Sequence, residues 1–469
     1  MKTLSILLLT LCSLLAQAQT IVGDWQGTLE VQGTSLRIIF HITESDGALT
    51  ATLDSPDQGA TNLATNETTF QDDQLTIKAN QLGIVYEGIL SDNDSTVEGT
   101  FTQGGMAMPL TLTRGAGKAE AVVRPQDPTS FPYQQEEVRF ANPEGHQLAG
   151  TLTIPQDGAF EQVVVLISGS GPQNRNEELG PMNHRPFLVL SDYLTRHGIA
   201  VLRYDDRGVA ESEGDFAKAT SQDFAEDAQS AVAFLRGRSD TQEKQIGLVG
   251  HSEGGMIAPM VASQTDAVDF IVLLAAPGIP IVELMKLQND RAAQAEGVPA
   301  KVREANLAAM SAAYDYLTAN QKAEKSELKQ GLIRMLKASD EKRPENANPD
   351  TVSLEAQYER QAAMMTSDWF LYFINYDPAE YLRQVSCPVL AINGALDVQV
   401  TADENLAGIE EALAAGGNRN VTIKKMKKQN HLFQQATTGA ASEYGKIDET
   451  FNEATMDYLV SWIRDVPQP

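Results

Sequence analysis

Cysteine is nearly absent: of 469 residues only Cys12 and Cys387 carry a thiol. Two thiols cannot build a disulfide framework, and no C-x-x-C pair exists for a zinc or redox site. An H-E-x-x-H pairing is missing too, so no metal ligand set is predicted and no cofactor is expected. Basic charge is scarce, with 36 Lys and Arg against 63 Asp and Glu and a net charge of −27. Without a basic surplus the chain cannot neutralise phosphates, which argues against nucleic acid and anionic membranes as partners. Long hydrophobic runs are lacking as well. The apolar stretch Leu4 to Leu15 is too short to span a bilayer.

That stretch has another reading. A charged start, Met1-Lys2-Thr3, precedes it and Ala16-Gln17-Ala18 follows as a small-residue cleavage site, so residues 1–18 are expected to be a secretory signal peptide. The mature chain would begin near Gln19, keep only Cys387, and be periplasmic or extracellular. Cys387 stands before Pro388 at a strand entrance and is expected to be a buried, inert thiol.

Residues 20–114 hold short alternating segments punctuated by turns. Leu36, Ile38, Phe40 and Ile42 share one strand face, and similar runs recur at Thr28–Gln32, Leu49–Leu53, Leu75–Ala79, Ile84–Leu90, Val97–Phe101 and Leu110–Thr113. This predicts a small antiparallel all-β domain, a barrel or a sandwich. Trp25 is expected to anchor its core, the alternative being a stacking face for a glycan. Residues 115–130, with two glycines and two prolines, read as a linker.

From residue 131 a hairpin (Glu137–Phe140 and Gln147–Ile154) opens a second domain. Val163–Ile167, Ile199–Tyr204, Ile246–Val249, Phe270–Leu274, Val389–Ile392 and Val421–Ile423 are brief β-branched runs suited to buried parallel strands. Amphipathic helices lie between them; Phe224, Ala228, Ala231 and Leu235 make one stripe, and Met456, Leu459, Val460 and Ile463 another. The pattern predicts a doubly wound α/β sheet. Between residues 281 and 384 the β rhythm stops, and this helical insertion is expected to cap the carboxyl ends of the strands. Its Met364, Met365, Trp369, Phe370, Tyr372 and Phe373 either pack cap on sheet or line an acyl pocket.

The chemistry centres on Gly250-x-Ser252-x-Gly254, between a strand and a helix start. Glycines on both sides remove Cβ atoms where strand and helix crowd, leaving the serine hydroxyl exposed. The motif alone is weak, and its context strengthens it. A serine on such a turn takes its acid and then its histidine from later strands. Of six histidines only His431 lies beyond the insertion, which makes it the candidate base. Asp397, in the loop after Val389–Ile392, is the candidate orienting acid; Asp377 and Asp448 do not follow a strand. The oxyanion would be held by the Glu253 amide and by a second amide from Ser168-Gly169-Ser170-Gly171, with Ser170 favoured over Gly171. His251 reads as a packed neighbour. Asp205-Asp206-Arg207-Gly208 reads as a charge-paired turn at the sheet edge.

Ser168-Gly169-Ser170-Gly171-Pro172-Gln173, Arg203-Tyr204-Asp205-Asp206-Arg207-Gly208, Gly250-His251-Ser252-Glu253-Gly254, Asn393-Gly394-x-x-Asp397 and Asn430-His431 occur in this order. With them, residues 131–469 resemble a secreted bacterial α/β-hydrolase of the carboxylesterase type with a helical cap. The segment before them is similar to accessory β domains. Ser168-Gly169 departs from the His-Gly start common in lipases, leaving the second oxyanion donor the weakest transfer. The resemblance implies a serine esterase acting on a small-molecule ester. A prolyl- or aminopeptidase-like hydrolase is the alternative, with Glu355 or Glu359 as candidate receptors for a substrate ammonium. A non-catalytic envelope carbohydrate-binding protein is a third reading.

Overall fold

The computed structural model describes residues 21–31, 34–45, 47–55, 60–91, 94–103, 106–115, 124–340 and 351–467. The expected signal peptide at 1–18 and residues 116–123 of the expected linker lie outside them. Among the described residues no helix is long and apolar enough to cross a membrane. The chain divides into two compact units.

The first unit is one antiparallel sheet of nine strands: β1 (Gly23–Val31), β2 (Thr34–Ser45), β3 (Ala48–Ser55), β4 (Ala60–Ala64), β5 (Glu67–Gln71), β6 (Gln74–Ala79), β7 (Ile84–Leu90), β8 (Thr96–Gln103) and β9 (Met106–Arg114). Its order, β4-β3-β2-β1-β9-β8-β7-β6-β5, joins the first and last strands in the middle. The sheet is curled, with β3 approaching β5, so the barrel-like alternative holds and the two-layer sandwich does not. Strands β4 and β5 were not expected; Ala-Thr-Asn-Leu-Ala and Glu-Thr-Thr-Phe-Gln are short and carry little apolar alternation. The concave side holds Trp25, Phe40, Leu53, Ile77, Tyr86 and Phe101. Trp25 is fully buried, donates its indole N–H to the Ile21 carbonyl at 2.8 Å and lies under the Arg114 guanidinium, which removes it as a stacking platform for a glycan.

The second unit begins at Arg124, earlier than the expected boundary at residue 131. The Gln126 side chain explains the difference. It accepts from the Thr450 and Phe451 amides and donates to the Phe451 carbonyl, tying this stretch to the unit instead of leaving it as a linker. Eight strands follow: β10 (Gln134–Ala141), β11 (Gln147–Ile154), β12 (Gln162–Ile167), β13 (Ala200–Tyr204), β14 (Gln245–His251), β15 (Phe270–Leu274), β16 (Val389–Gly394) and β17 (Val421–Met426). They pair in the order β10-β11-β13-β12-β14-β15-β16-β17, antiparallel up to the β11–β13 pair and parallel beyond it.

Alternation along these strands separates two cores. Val163, Val165, Leu202, Leu248, Leu273 and Ala391 face helices α2 (Ser221–Arg236), α3 (Glu253–Ala262) and α10 (Ala402–Ala415). Val164, Leu166, Val201, Val249, Val272 and Ile392 face α1 (Pro186–Arg196) and α11 (Glu453–Arg464). Both stripes expected on α2 and α11 are buried. Each fully buried Val or Leu contributes about 1.5–3 kcal/mol, so a sheet covered on both faces is rigid enough to aim the loops at its rim.

Between β15 and β16 run helices α4 (Ile281–Ala295), α5 (Ala300–Ala319), α6 (Lys325–Asp340), α7 (Thr351–Met365), α8 (Asp368–Ile374) and α9 (Pro378–Leu382). Leu284, Leu317, Leu332, Met365, Phe370 and Phe373 from this insertion join the core shared with α3. Met364 is exposed.

Candidate active site

Strand β14 ends at His251, and the chain turns at Ser252 into α3. Ser252 sits at φ 54° and ψ −116°, a conformation that L-residues avoid and that marks a strained turn. Local packing shows why the flanking residues are glycines. A Cβ on Gly250 would stand 2.0 Å from the Gly254 carbonyl oxygen, and one on Gly254 would stand 2.1 Å from that of Ile167. Strand, turn and helix therefore approach more closely than any side chain allows. Glu253 opens α3, so its amide is one of the helix's unpaired N-terminal donors.

Two loops at the same rim carry the candidate acid and base. Asp397 follows β16. Its Oδ1 accepts from the Gln399 and Val400 amides at 2.8 and 2.9 Å, and its Oδ2 lies 2.8 Å from His431 Nδ1. The carboxylate can only accept, so Nδ1 carries the proton and Nε2 is left to receive one. The His431 loop follows β17 and is held by two buried amide side chains. Asn430 Oδ1 accepts from the Leu432 and Gln434 amides, and Gln434 donates to the Tyr444 and Glu449 carbonyls.

The Ser168–Gln173 loop follows β12. A Cβ on Gly169 would come 3.3 Å from that of Ser252, which places this loop against the Ser252 turn. The Gly169 amide donates to Glu177 Oε1 at 2.7 Å, whereas no acceptor among the described residues takes the Ser170 or Glu253 amide. Ser168 Oγ and the Gln173 amide donate to the two oxygens of Asp206 at 3.0 and 2.9 Å. Burial, reinforced by the nearby Glu253 and Glu177 carboxyls, pushes Asp206 up to about 8 despite these bonds. The Glu253 side chain turns inward, accepting from Ser221 Oγ at 2.5 Å and Trp369 Nε1 at 2.8 Å, with Ser170 also bonded to it. Burial raises its pKa. A small cavity bordered by Ser168, Asp206 and Glu253 excludes Asp397 and His431, so it lies behind this loop and not over the serine.

His251, beside the serine, has both ring nitrogens engaged. Nδ1 lies 2.8 Å from Glu177 Oε1 and Nε2 3.0 Å from the His431 carbonyl oxygen, and its ring is 4.8 Å from that of His431. Ser252, Asp397, His431, Ser170 and Glu253 are thus gathered on loops at one rim of the sheet. Other candidates are not. Asp377 caps α9, and Glu359 pairs with Lys329 at 2.7 Å on the surface. His41 lies in the first unit between Asp24 and Asp54. Burial pushes the Cys387 thiol up to about 12, as fits an inert thiol. In the Asp205–Gly208 turn, Asp205 pairs with Arg175 and Arg207 with Asp227, both at 2.7 Å, while Asp206 is turned to the Ser168 loop.

Neither Glu177 nor the contact of Trp369 with Glu253 is marked in the sequence. Glu177 lies in an irregular loop at φ 51°, where no periodicity or motif spacing singles it out.

A family model described as X-Pro dipeptidyl-peptidase (S15 family) matches residues 122–424. Esterase EstD of Thermotoga maritima is 28% identical over 286 residues, an alignment covering 61% of this chain and 58% of that protein. The chain therefore spans less than two thirds of this relative's length. Among solved structures, the Pyrococcus furiosus esterase Pf2001 shares 14% identity over 72% of this chain and 92% of its own, with a TM-score of 0.43. Est1E from Butyrivibrio proteoclasticus, solved with ferulic acid bound, shares 13% over 70% and 99%, with a TM-score of 0.40.

Proposed function

The chain belongs to the X-Pro dipeptidyl-peptidase (S15) family, and from that premise we propose that it is a serine hydrolase cleaving small carboxylic esters through an acyl-enzyme. The observation that carries this reading is the buried His431–Asp397 pair at 2.8 Å, on the rim that also bears the strained Ser252 turn. In the first step Ser252 Oγ attacks the ester carbonyl and His431 Nε2 takes its proton. Asp397 holds Nδ1–H and offsets the imidazolium charge. The Ser170 and Glu253 amides, which meet no acceptor among the described residues, receive the oxyanion. The tetrahedral adduct collapses, His431 returns the proton to the departing alcohol, and water deprotonated by the same base releases the acid.

Helices α4–α9 form the cap in this reading. Phe370, Phe373 and Met365 are buried and serve packing; Trp369, bonded to Glu253, and the partly buried Tyr372 are the aromatics left for the acyl group. The protein is exported, on the strength of the sequence before Gln19 alone.

The same triad acting on peptides is the second reading, favoured by the description of the family itself. A dipeptidyl peptidase must hold the substrate's terminal ammonium with an uncommitted acid. Glu359 already faces Lys329, Glu355 is not free, and Glu253, Glu177 and Asp206 accept hydrogen bonds within the protein, so esters are preferred. A carbohydrate-binding protein without activity would have no use for the His431–Asp397 pair.

Turnover of acetyl-to-octanoyl nitrophenyl esters and of X-Pro anilides by the protein and its Ser252→Ala variant separates these readings. Ester hydrolysis falling roughly 10⁴-fold or more in the variant, with anilides untouched, is the expected result. Serine-dependent anilide cleavage would move the protein to the peptidases, and equal rates in both proteins would remove Ser252 from the chemistry.

A further inference from the structure

The His251–Glu177 pair has no part in the steps above, yet it touches the oxyanion loop and the His431 loop and adjoins the Ser252 turn. His251 Nε2 faces a backbone carbonyl, that of His431, which can only accept, so Nε2 carries a proton. Nδ1 faces Glu177 Oε1 at 2.8 Å, so another proton must lie between those two atoms. Oε1 also accepts from the Gly169 amide at 2.7 Å, so two nitrogens converge on one carboxyl oxygen, the geometry of an acceptor. The second proton therefore belongs on the ring.

We infer that His251 is a buried, doubly protonated imidazolium paired with Glu177, and that the two are positioning residues for the reaction. This rests on the reading of Ser252, His431 and Asp397 as the triad. Glu177 Oε1 holds the Gly169 amide and so fixes the orientation of the next amide, that of Ser170, toward the oxyanion. His251 holds the carbonyl of the residue that carries the base and packs against its ring at 4.8 Å. Its own backbone leads directly into Ser252. One ion pair thus sets the oxyanion loop, the nucleophile turn and the base loop relative to one another. Both side chains are largely buried, with 8% and 6% of their surfaces exposed, so water does not loosen the pair. The groups facing it point the same way: Glu177 and, further off, Asp397 favour the charged ring, while burial pushes the neighbouring His184 down to about 4 and so leaves it uncharged near neutral pH.

The test uses the whole protein. In ¹⁵N-histidine spectra at pH 7.5, both His251 ring nitrogens should carry protons, assigned by their disappearance in His251→Asn; a singly protonated ring would overturn the inference. Glu177→Gln keeps an oxygen for the Gly169 amide but not the charge, and should leave the ring singly protonated. In Glu177→Ala and His251→Asn, kcat on nitrophenyl butanoate per serine titrated with a fluorophosphonate should fall roughly 10- to 100-fold with KM within about twofold, the signature of misplacement rather than lost binding. Values of kcat per titrated serine within twofold of wild type in both would show a purely structural pair. Failure of the triad reading is separate: Ser252→Ala would then retain turnover, while the wild-type spectrum still reports the protonation of His251.

Discussion

Gly254 stands in the first turn of α3, where helix propensity alone would favour alanine by about 1 kcal/mol. Packing opposes it, because the added methyl would stand 2.1 Å from the Ile167 carbonyl oxygen. Backbone atoms of β12 and α3 must separate to admit it, and overpacking of this kind costs about 1–3 kcal/mol or somewhat more. Gly254→Ala is therefore expected to lower the urea midpoint and to cut ester turnover more than stability. An unchanged midpoint would mean that strand and helix part easily. At this scale the sequence was informative wherever a residue is required for steric reasons: Gly250 and Gly254 are legible because a side chain at either would meet backbone. Glu177 was not. Its role depends on two hydrogen bonds to Gly169 and His251, residues brought to it only by folding.

The loop after β12 and the turn after β13 form one unit through Asp206, which ties Ser168 to Gln173. Its carboxyl has an ordinary value of 3.8 and is pushed up to about 8 in the folded protein. Between these values the native state keeps a proton that the unfolded chain releases, so stability falls as pH rises from about 4 to about 8. Glu253, also raised by burial, acts in the same direction. Asp206→Asn should flatten the profile, its Tm falling between pH 5 and 8.5 by at least about 2 °C less than that of the wild type. Parallel Tm profiles would place Asp206 in a wetter setting. Elements such as β12 and β15 were legible because each is an unbroken apolar run. The short β4 and β5 lack that signal, and the stretch at Arg124–Ser130 resembles a linker because prolines and polar residues mark both linkers and ordered irregular segments.

Over the whole molecule the excess of 63 acidic over 36 basic residues sets the long-range field. Its sign disfavours approach of anionic substrates at low salt. With an anionic ester such as a nitrophenyl hemisuccinate, kcat/KM should rise several-fold as salt goes from about 0.01 M to 0.1 M, which shortens the Debye length from about 30 Å to about 10 Å. A neutral ester should change little, and equal responses of the two would show that the charge is screened at the mouth of the site. The two-unit division was legible in the change from alternating runs to βα rhythm, and each unit keeps its own core.

The placing of the helical insertion before β16 has a consequence for the growing chain. Synthesis runs from the amino end, so the ribosome releases Ser252 long before Asp397 and His431. The His431 loop is then fastened by Gln434 to carbonyls at Tyr444 and Glu449, later still. On the proposed triad, a nascent polypeptide stalled anywhere in the insertion carries Ser252 without His431, and is chemically silent. On the same reading, catalytic yield in an expression culture counts chains extended past the His431 loop and its anchors, not chains that have only passed Ser252.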